Sequence, residues 1–283
     1  MGVFGALSWT FATVFGFAFL RSAATSLRPT ADFDIITLVF AQIIATGFAV
    51  FAILRVYAPN ASARRLFGLR GTSVALYPLA LVFGVAATIL MSKMNELVEL
   101  RWPRSPDPHG FDQLLVTNDR LRRIVMGIFI GLVSPFVEEV FFRGALFTPL
   151  RKLAQAPASS HDEEQRASRP TTPDRTSPLF VPVGVTTAVF VFAHGDWRQA
   201  VPLALVALVM GVLRYRSGSL IPSFLVHVAL NSLSVVAVYT LRDMTTIPWS
   251  WVAIASIVSA ASLAGMLLLC RGERAALARA DEL

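Results

Sequence analysis

Glu138, Glu139 and Arg143 stand inside the otherwise apolar stretch SPFVEEVFFRGALF, residues 134–147. Ionisable side chains within a membrane span are costly and by default mark function. Glu139 and Arg143 are spaced i, i+4, so on a helix they can pair and offset one another. Glu138 sits about 100° further round the same helix, where Arg143 serves it poorly, so this carboxylate needs another explanation. Two further apolar stretches carry polar groups at helical spacing: FVFAH, with Phe190 and His194, and HVALN, with His227 and Asn231. A carboxylate and an imidazole can hold and deprotonate a water. A second imidazole and an amide can donate to a developing oxyanion. Together these groups are the equipment for hydrolysing a peptide bond. Glu138, His194 and His227 can also be read as three zinc ligands, although no HEXXH is present.

These residues need elements that bring them to one depth. The chain has 283 residues, is 55% hydrophobic and only 15% charged, and has a mean hydropathy of +0.62. A soluble domain of this length is far more charged. Apolar runs recur at Gly2–Leu20, Ile35–Leu54, Gly71–Ser92, Ile124–Leu150, Thr176–Gly195, Gln199–Leu213, Ser217–Leu241 and Met244–Cys270. A helix needs roughly 20 apolar residues to cross a bilayer. The expected fold is all-α, a polytopic transmembrane bundle of about eight spans, with residues 1–283 forming a single membrane domain. Gln199–Leu213 is the shortest run and the weakest of the eight. At 1.5 Å per residue from the ends of their spans, Glu138 lies about 19 Å deep, His194 about 24 Å, His227 about 14 Å and Asn231 about 20 Å. All four can therefore meet near mid-membrane.

The net charge of +7 is no nucleic-acid signal, because the basic residues fall in loops between spans. Fourteen Lys and Arg share one side with both termini and ten fall on the other, a bias that puts both termini in the cytoplasm of a bacterial-type plasma membrane. Trp102, Trp197, Trp249 and Trp251 fall at span ends on the opposite side, as an interfacial belt would. The stretch DQLLVTNDRLRRI suits an amphipathic entry helix. Residues 154–178 are rich in Ala, Ser, Pro, Thr and charge and read as a flexible polar loop holding His161, while His109 lies in another polar loop. Pro135, three residues before Glu138, removes a helix hydrogen bond and can leave the Gly131 carbonyl free. The single cysteine, Cys270, excludes an intrachain disulfide.

EEVFFR resembles an EExxxR motif, FVFAH an FxxxH motif and HVALN an HxxxN motif. In this order on successive spans they resemble the CPBP family of intramembrane endopeptidases, which includes the CAAX-prenyl endopeptidase and bacteriocin-processing and immunity proteins. The resemblance covers a catalytic core of about residues 120–242. It implies a glutamate-type protease in which Glu138 is the general base and His194 helps to hold the attacking water. His227 and Asn231 would then stabilise the oxyanion, and Glu139 and Arg143 would form a supporting pair.

The implied function is hydrolysis of peptide bonds in membrane-associated or lipidated protein and peptide substrates. Its alternatives are a non-catalytic immunity or binding protein of the same family and a proton-coupled transporter. No repeat between halves is recognisable, which disfavours the transporter. The expected partners are such a substrate and the lipid bilayer, with no nucleic acid. The expected cofactor is none, and zinc is the minority alternative. Asn231, one turn from His227, suits a hydrogen-bond donor pair better than a ligand set. Ligating histidines also hand their second nitrogen to an acceptor, and Arg143 is expected to occupy Glu139, the other intramembrane carboxylate.

Overall fold

The computed structural model describes residues 3–27, 35–57, 67–103, 119–155, 177–240 and 246–280. Among them are helices and connecting turns and no strand, so the all-α expectation holds. The loop expected over 154–178 is described only at its helical ends. His161 within it, His109 and the first part of the entry segment lie outside the described residues.

Helix α1 is Val3–Leu27, α2 is Ile35–Tyr57 and α3 is Leu76–Arg101. A long helical rod follows: α4 (Arg120–Ile128), a π-helical segment π1 (Phe129–Val133), α5 (Ser134–Glu139), a second segment π2 (Val140–Leu146) and α6 (Phe147–Gln155). Then come α7 (Ser177–His194), a 3-10 turn at Trp197–Gln199, α8 (Ala200–Ser217), α9 (Ile221–Thr240) and α10 (Trp249–Ala280). Seven of these helical stretches are long and apolar enough to cross a membrane, with Leu179–His194 as a shorter apolar helix. The order of doubt reverses here. The stretch containing Gln199–Leu213 extends over Trp197–Ser217 and qualifies as a span, and the one ending at His194 is the short one.

The rod opens on a sequence signal. Asp119 caps α4, its carboxylate accepting from the backbone N–H groups of Leu121 (2.9 Å) and Arg122 (3.2 Å). This satisfies two of the four amides that a helix start leaves over. Further along, Pro135 offers no N–H. In α geometry that leaves Gly131 O unpaired, and in π geometry Ile130 O. Helix α9 takes up both: Asn231 Nδ2 donates to Ile130 O (3.1 Å) and Ser232 Oγ to Gly131 O (3.3 Å). The Gly131 carbonyl, expected to be free, is thus bonded, and the bond fixes the register of α9 against the rod.

Helix α3 holds α9 from the other side. A Cβ on Gly84 would lie 2.5 Å from Val226 O and 2.7 Å from Ala229 Cβ. Only glycine allows this approach, which seats the turn next to His227. The main core gathers Phe83, Phe141, Phe142, Leu146, Phe190, Met210 and Val226 from five helical stretches. The tryptophans expected at one interface do share one end of the bundle: Trp102 meets Trp197 edge-on at 5.5 Å, and Trp249 opens α10.

Candidate functional site

The two glutamates end α5, between the two π segments, where helices often carry function. Glu139 and Arg143 are wholly buried and paired, with Arg143 Nη1 donating to Glu139 Oε1 at 2.9 Å. The guanidinium lies over the Phe190 ring, its Cζ 4.4 Å from the centroid, and Nη2 reaches Ala207 O at 3.4 Å. The i, i+4 pairing read from the spacing is therefore present.

Arg143 does not exhaust Glu139. His227 Nδ1 lies 3.2 Å from the same Oε1. A carboxylate can only accept there, so Nδ1 carries the proton, and the neutral ring presents Nε2 as a lone pair. That lone pair faces Glu138: His227 Nε2 is 3.7 Å from Glu138 Oε2. Oε2 is buried and makes no hydrogen bond. The other oxygen of Glu138 is held, accepting from Ser134 Oγ at 2.7 Å and from Gln42 Nε2 at 3.4 Å. Gln42 Nε2 also donates to Ser134 Oγ at 2.9 Å. One face of Glu138 is thus fixed by two helices, and the other is turned to His227.

Glu138, Glu139, Arg143 and His227 come together. Asn231 follows one turn on, with one amide N–H committed to Ile130 O and a second available by valence. His194 stands apart. It is exposed at the end of α7, its Nδ1 bonded to Phe190 O at 2.8 Å. Its ring is 4.5 Å from the Phe190 centroid, and the His227 ring is 5.8 Å from it. Phe190 thus stands between the two histidines, a platform for Arg143 and both imidazoles.

The reasoning against zinc needs one correction. Glu139 is not reserved for Arg143, and both histidines give Nδ1 to an acceptor as metal ligands do. Convergence is the feature missing. Among the described residues no three His, Cys, Asp or Glu side chains are grouped to hold a metal.

Gln42 and Ser134 are the residues that sequence reasoning missed. Ser134 stands one turn before Glu138, a spacing that brings it onto the same face. Gln42 is the lone amide in the apolar run 35–54, a detectable but unspecific signal.

Residues 120–233 match the family model described as type II CAAX prenyl endopeptidase Rce1-like. The resemblance drawn from the three motifs holds over this segment, which contains Glu138, Glu139, Arg143, His194, His227 and Asn231 and leaves out α1 to α3. No curated protein and no solved structure matches the chain. The helices of membrane-crossing length, together with a segment similar to a protease family, point to a multi-pass membrane protein that carries a CAAX protease-like segment.

Proposed function

We propose that the protein is an intramembrane endopeptidase in which Glu138 and His227 together hold and activate the attacking water. The observation that carries this is the 3.7 Å gap between Glu138 Oε2 and His227 Nε2. Both atoms are acceptors in the neutral-histidine form, and two facing acceptors call for a molecule with two protons. Water bridging them donates one hydrogen bond to each. Glu138 takes a proton as the oxygen attacks the scissile carbonyl. The C–N bond then breaks, and the same proton passes to the leaving nitrogen, so water plus peptide gives a carboxylic acid and an amine, which exchange the acid proton to leave as carboxylate and ammonium.

Gln42 and Ser134 hold Oε1 so that Oε2 keeps its aim. Glu139 does for His227 what an orienting carboxylate does in a hydrolytic triad, fixing tautomer and ring direction. Asn231, through its second N–H, is assigned to the oxyanion. His194 is assigned to the substrate side of Phe190, with a smaller share, because no hydrogen bond or ion pair joins it to Glu138 or His227. The reading needs no metal. The substrates proposed are membrane-associated or lipidated peptides, and both termini are placed in the cytoplasm by the loop charges.

The test is cleavage of a lipidated peptide by purified protein and by Glu138→Gln, which keeps the shape and loses the base. Turnover should fall by about 10²–10⁴-fold with the melting temperature unchanged. Near wild-type turnover in the variant would remove Glu138 from the mechanism. No cleavage by wild type of any membrane peptide, in cells or in vitro, would favour the binding or transport readings.

Zinc is the second reading, favoured by the two Nδ1 contacts alone. Activity should survive exhaustive chelation. Stoichiometric zinc whose removal stops cleavage, and whose return restores it, would turn Glu138, His194 and His227 into ligands.

A further inference from the structure

The second π segment displaces a backbone bond beside the buried charges. In α geometry the N–H of Phe147 would bond Arg143 O, four residues back. Here it goes to Phe142 O and Gly144 O. Helix α8 brings a donor to that carbonyl: Arg214 Nε donates to Arg143 O at 2.9 Å. The same device serves π1, where Asn231 and Ser232 of α9 bond Ile130 O and Gly131 O. Turns of π geometry are rare, and each one here is held by side chains of a neighbouring helix.

Arg214 is firmly seated. Only 4% of it is exposed, and its guanidinium lies 5.7 Å from the Phe147 ring centre. Gly68, at a left-handed φ of 62°, lies directly on the guanidinium, and a Cβ there would come within 2.5 Å of Nη1. The Gly68 carbonyl in turn accepts from Leu220 N–H at 3.0 Å, at the entry to α9. Arg143 returns the contact to α8, its Nη2 reaching Ala207 O at 3.4 Å. Ala207 and Arg214 are seven residues apart on one face of α8, so α8 meets the rod at two levels, both through Arg143.

Arg143 is thus held at both ends, by its carbonyl and by its guanidinium. The guanidinium bonds Glu139 at 2.9 Å, and Glu139 holds His227 Nδ1 at 3.2 Å. The other nitrogen of that ring faces Glu138 Oε2 at 3.7 Å. Relaxation of π2 to α geometry would turn Arg143 round the rod relative to Glu139 and α8, and every later contact in this chain would shift with it.

We propose that Arg214 is a positioning residue for the Glu138–His227 centre, resting on the hydrolysis proposed there, and that it acts through the Arg143 carbonyl. Arg214 touches no reacting group. Its donor at Nε carries the effect, not its charge. The elements that aim the centre then include α8 as well as the rod, α2 and α9.

Three substitutions in the full chain separate donor from charge. Arg214→Gln places an amide N–H where Nε stands and removes the charge. Arg214→Lys keeps the charge and places a methylene there. Arg214→Met has neither. Each is read by kcat and KM on a lipidated peptide, by melting temperature, and by nitrogen NMR of isotope-labelled histidine, with His227→Gln to assign the signal. The NMR signal reports which ring nitrogen of His227 carries the proton. The melting temperature should fall in all three, because all lack the guanidinium. The kcat should split: Arg214→Gln stays close to wild type, whereas Arg214→Lys and Arg214→Met lose about tenfold or more with KM little changed, as for one hydrogen bond of a charged group. The Nδ1–H signal of His227 should persist in Arg214→Gln and weaken in the other two. Activity kept by Arg214→Lys and lost by Arg214→Gln would make charge the agent and overturn the proposal. Equal kcat in the three, or a fall that follows the melting temperature, would also overturn it. The Gln and Lys variants keep the test decisive where Arg214→Met does not fold. Should the wild type cleave no peptide, the proposed hydrolysis fails, and the NMR signal still decides the positioning: a His227 signal that is the same in wild type, Arg214→Gln and Arg214→Lys overturns it.

Discussion

Among the described residues two carboxylate–cation pairs are drawn in from solvent, and they are built in opposite ways. Lys93 and Glu96, on α3 near the tryptophan end, meet at 2.6 Å and close on themselves. Lys93 Nζ also donates to Ile247 O at 3.0 Å, and Glu96 Oε2 accepts from Ile247 N at 2.8 Å. The Trp249 ring covers the ammonium, its centre 4.7 Å away. One residue before α10, Ile247, is clamped through both its N–H and its C=O, and both carboxylate oxygens of Glu96 are used. The Glu139–Arg143 pair is deeper and does not close. Glu139 Oε2 and Arg143 Nε make no hydrogen bond, nor does Glu138 Oε2 beside them. The Ser223 hydroxyl stands beside Glu139 and also bonds Leu220 O at 2.9 Å. Buried polar groups are nearly always satisfied, so unspent capacity around one histidine marks the place where water and substrate are due. The closed cluster is a latch, and the open one is the site proposed for catalysis.

The largest effect on this contrast should come from Arg143→Ala. It leaves Glu139 at zero exposure without its cationic partner, held by His227 alone, and breaking a buried pair costs about 3–5 kcal/mol. Thermal unfolding in detergent should show that loss. Cleavage should fall with it, because Glu139 also aims His227. Unchanged stability with lost cleavage would instead move Arg143 into the chemistry itself.

How much of this was readable in advance follows from what spacing can encode. The Glu139–Arg143 pair and the shared face of His227 and Asn231 are i, i+4 relations within one helix, and both are present. The spans were legible because bilayer thickness dictates their length. Depth along each span put Glu138, His194, His227 and Asn231 at one level, but depth says nothing of angle around the helix. The Phe190 ring occupies the space that was expected to join His194 to the rest. Likewise Asn231 was read as a donor pair with His227. Its first duty is to Ile130 O on the neighbouring rod, because Pro135, five residues on, has no N–H to bond that carbonyl. Contacts between helices depend on packing angles that no single-helix pattern records.

A smaller effect, and of one kind only, is expected for Lys93→Ala. The latch loses its centre, and the start of α10 loosens from α3. The melting temperature should fall by less than in Arg143→Ala, because the pair lies at the rim where water can replace lost contacts. Turnover per folded molecule should be unchanged. A fall in turnover that follows the fall in stability would erase the distinction between latch and site.

The smallest effect should come from Gln42→Leu, and it tests whether the open cluster extends beyond the matched family segment. Gln42 lies on α2, outside residues 120–233, yet its amide reaches both Ser134 Oγ (2.9 Å) and Glu138 Oε1 (3.4 Å). Leucine fills a similar volume in an apolar span, so the fold should keep its melting temperature. The Ser134–Glu138 bond at 2.7 Å remains and holds Oε1 in part. What is lost is one net hydrogen bond, worth about 0.5–1.5 kcal/mol, which corresponds to a two- to tenfold drop in turnover by the same measure. Because the amide steadies the carboxylate that takes the proton from water, the drop should appear in kcat with KM little changed, and Gln42→Asn should not restore it, its amide being one methylene short. A rise in KM alone would mean that Gln42 meets the substrate and not Glu138. Full activity would confine the site to the rod and α9, with α2 serving only as a wall.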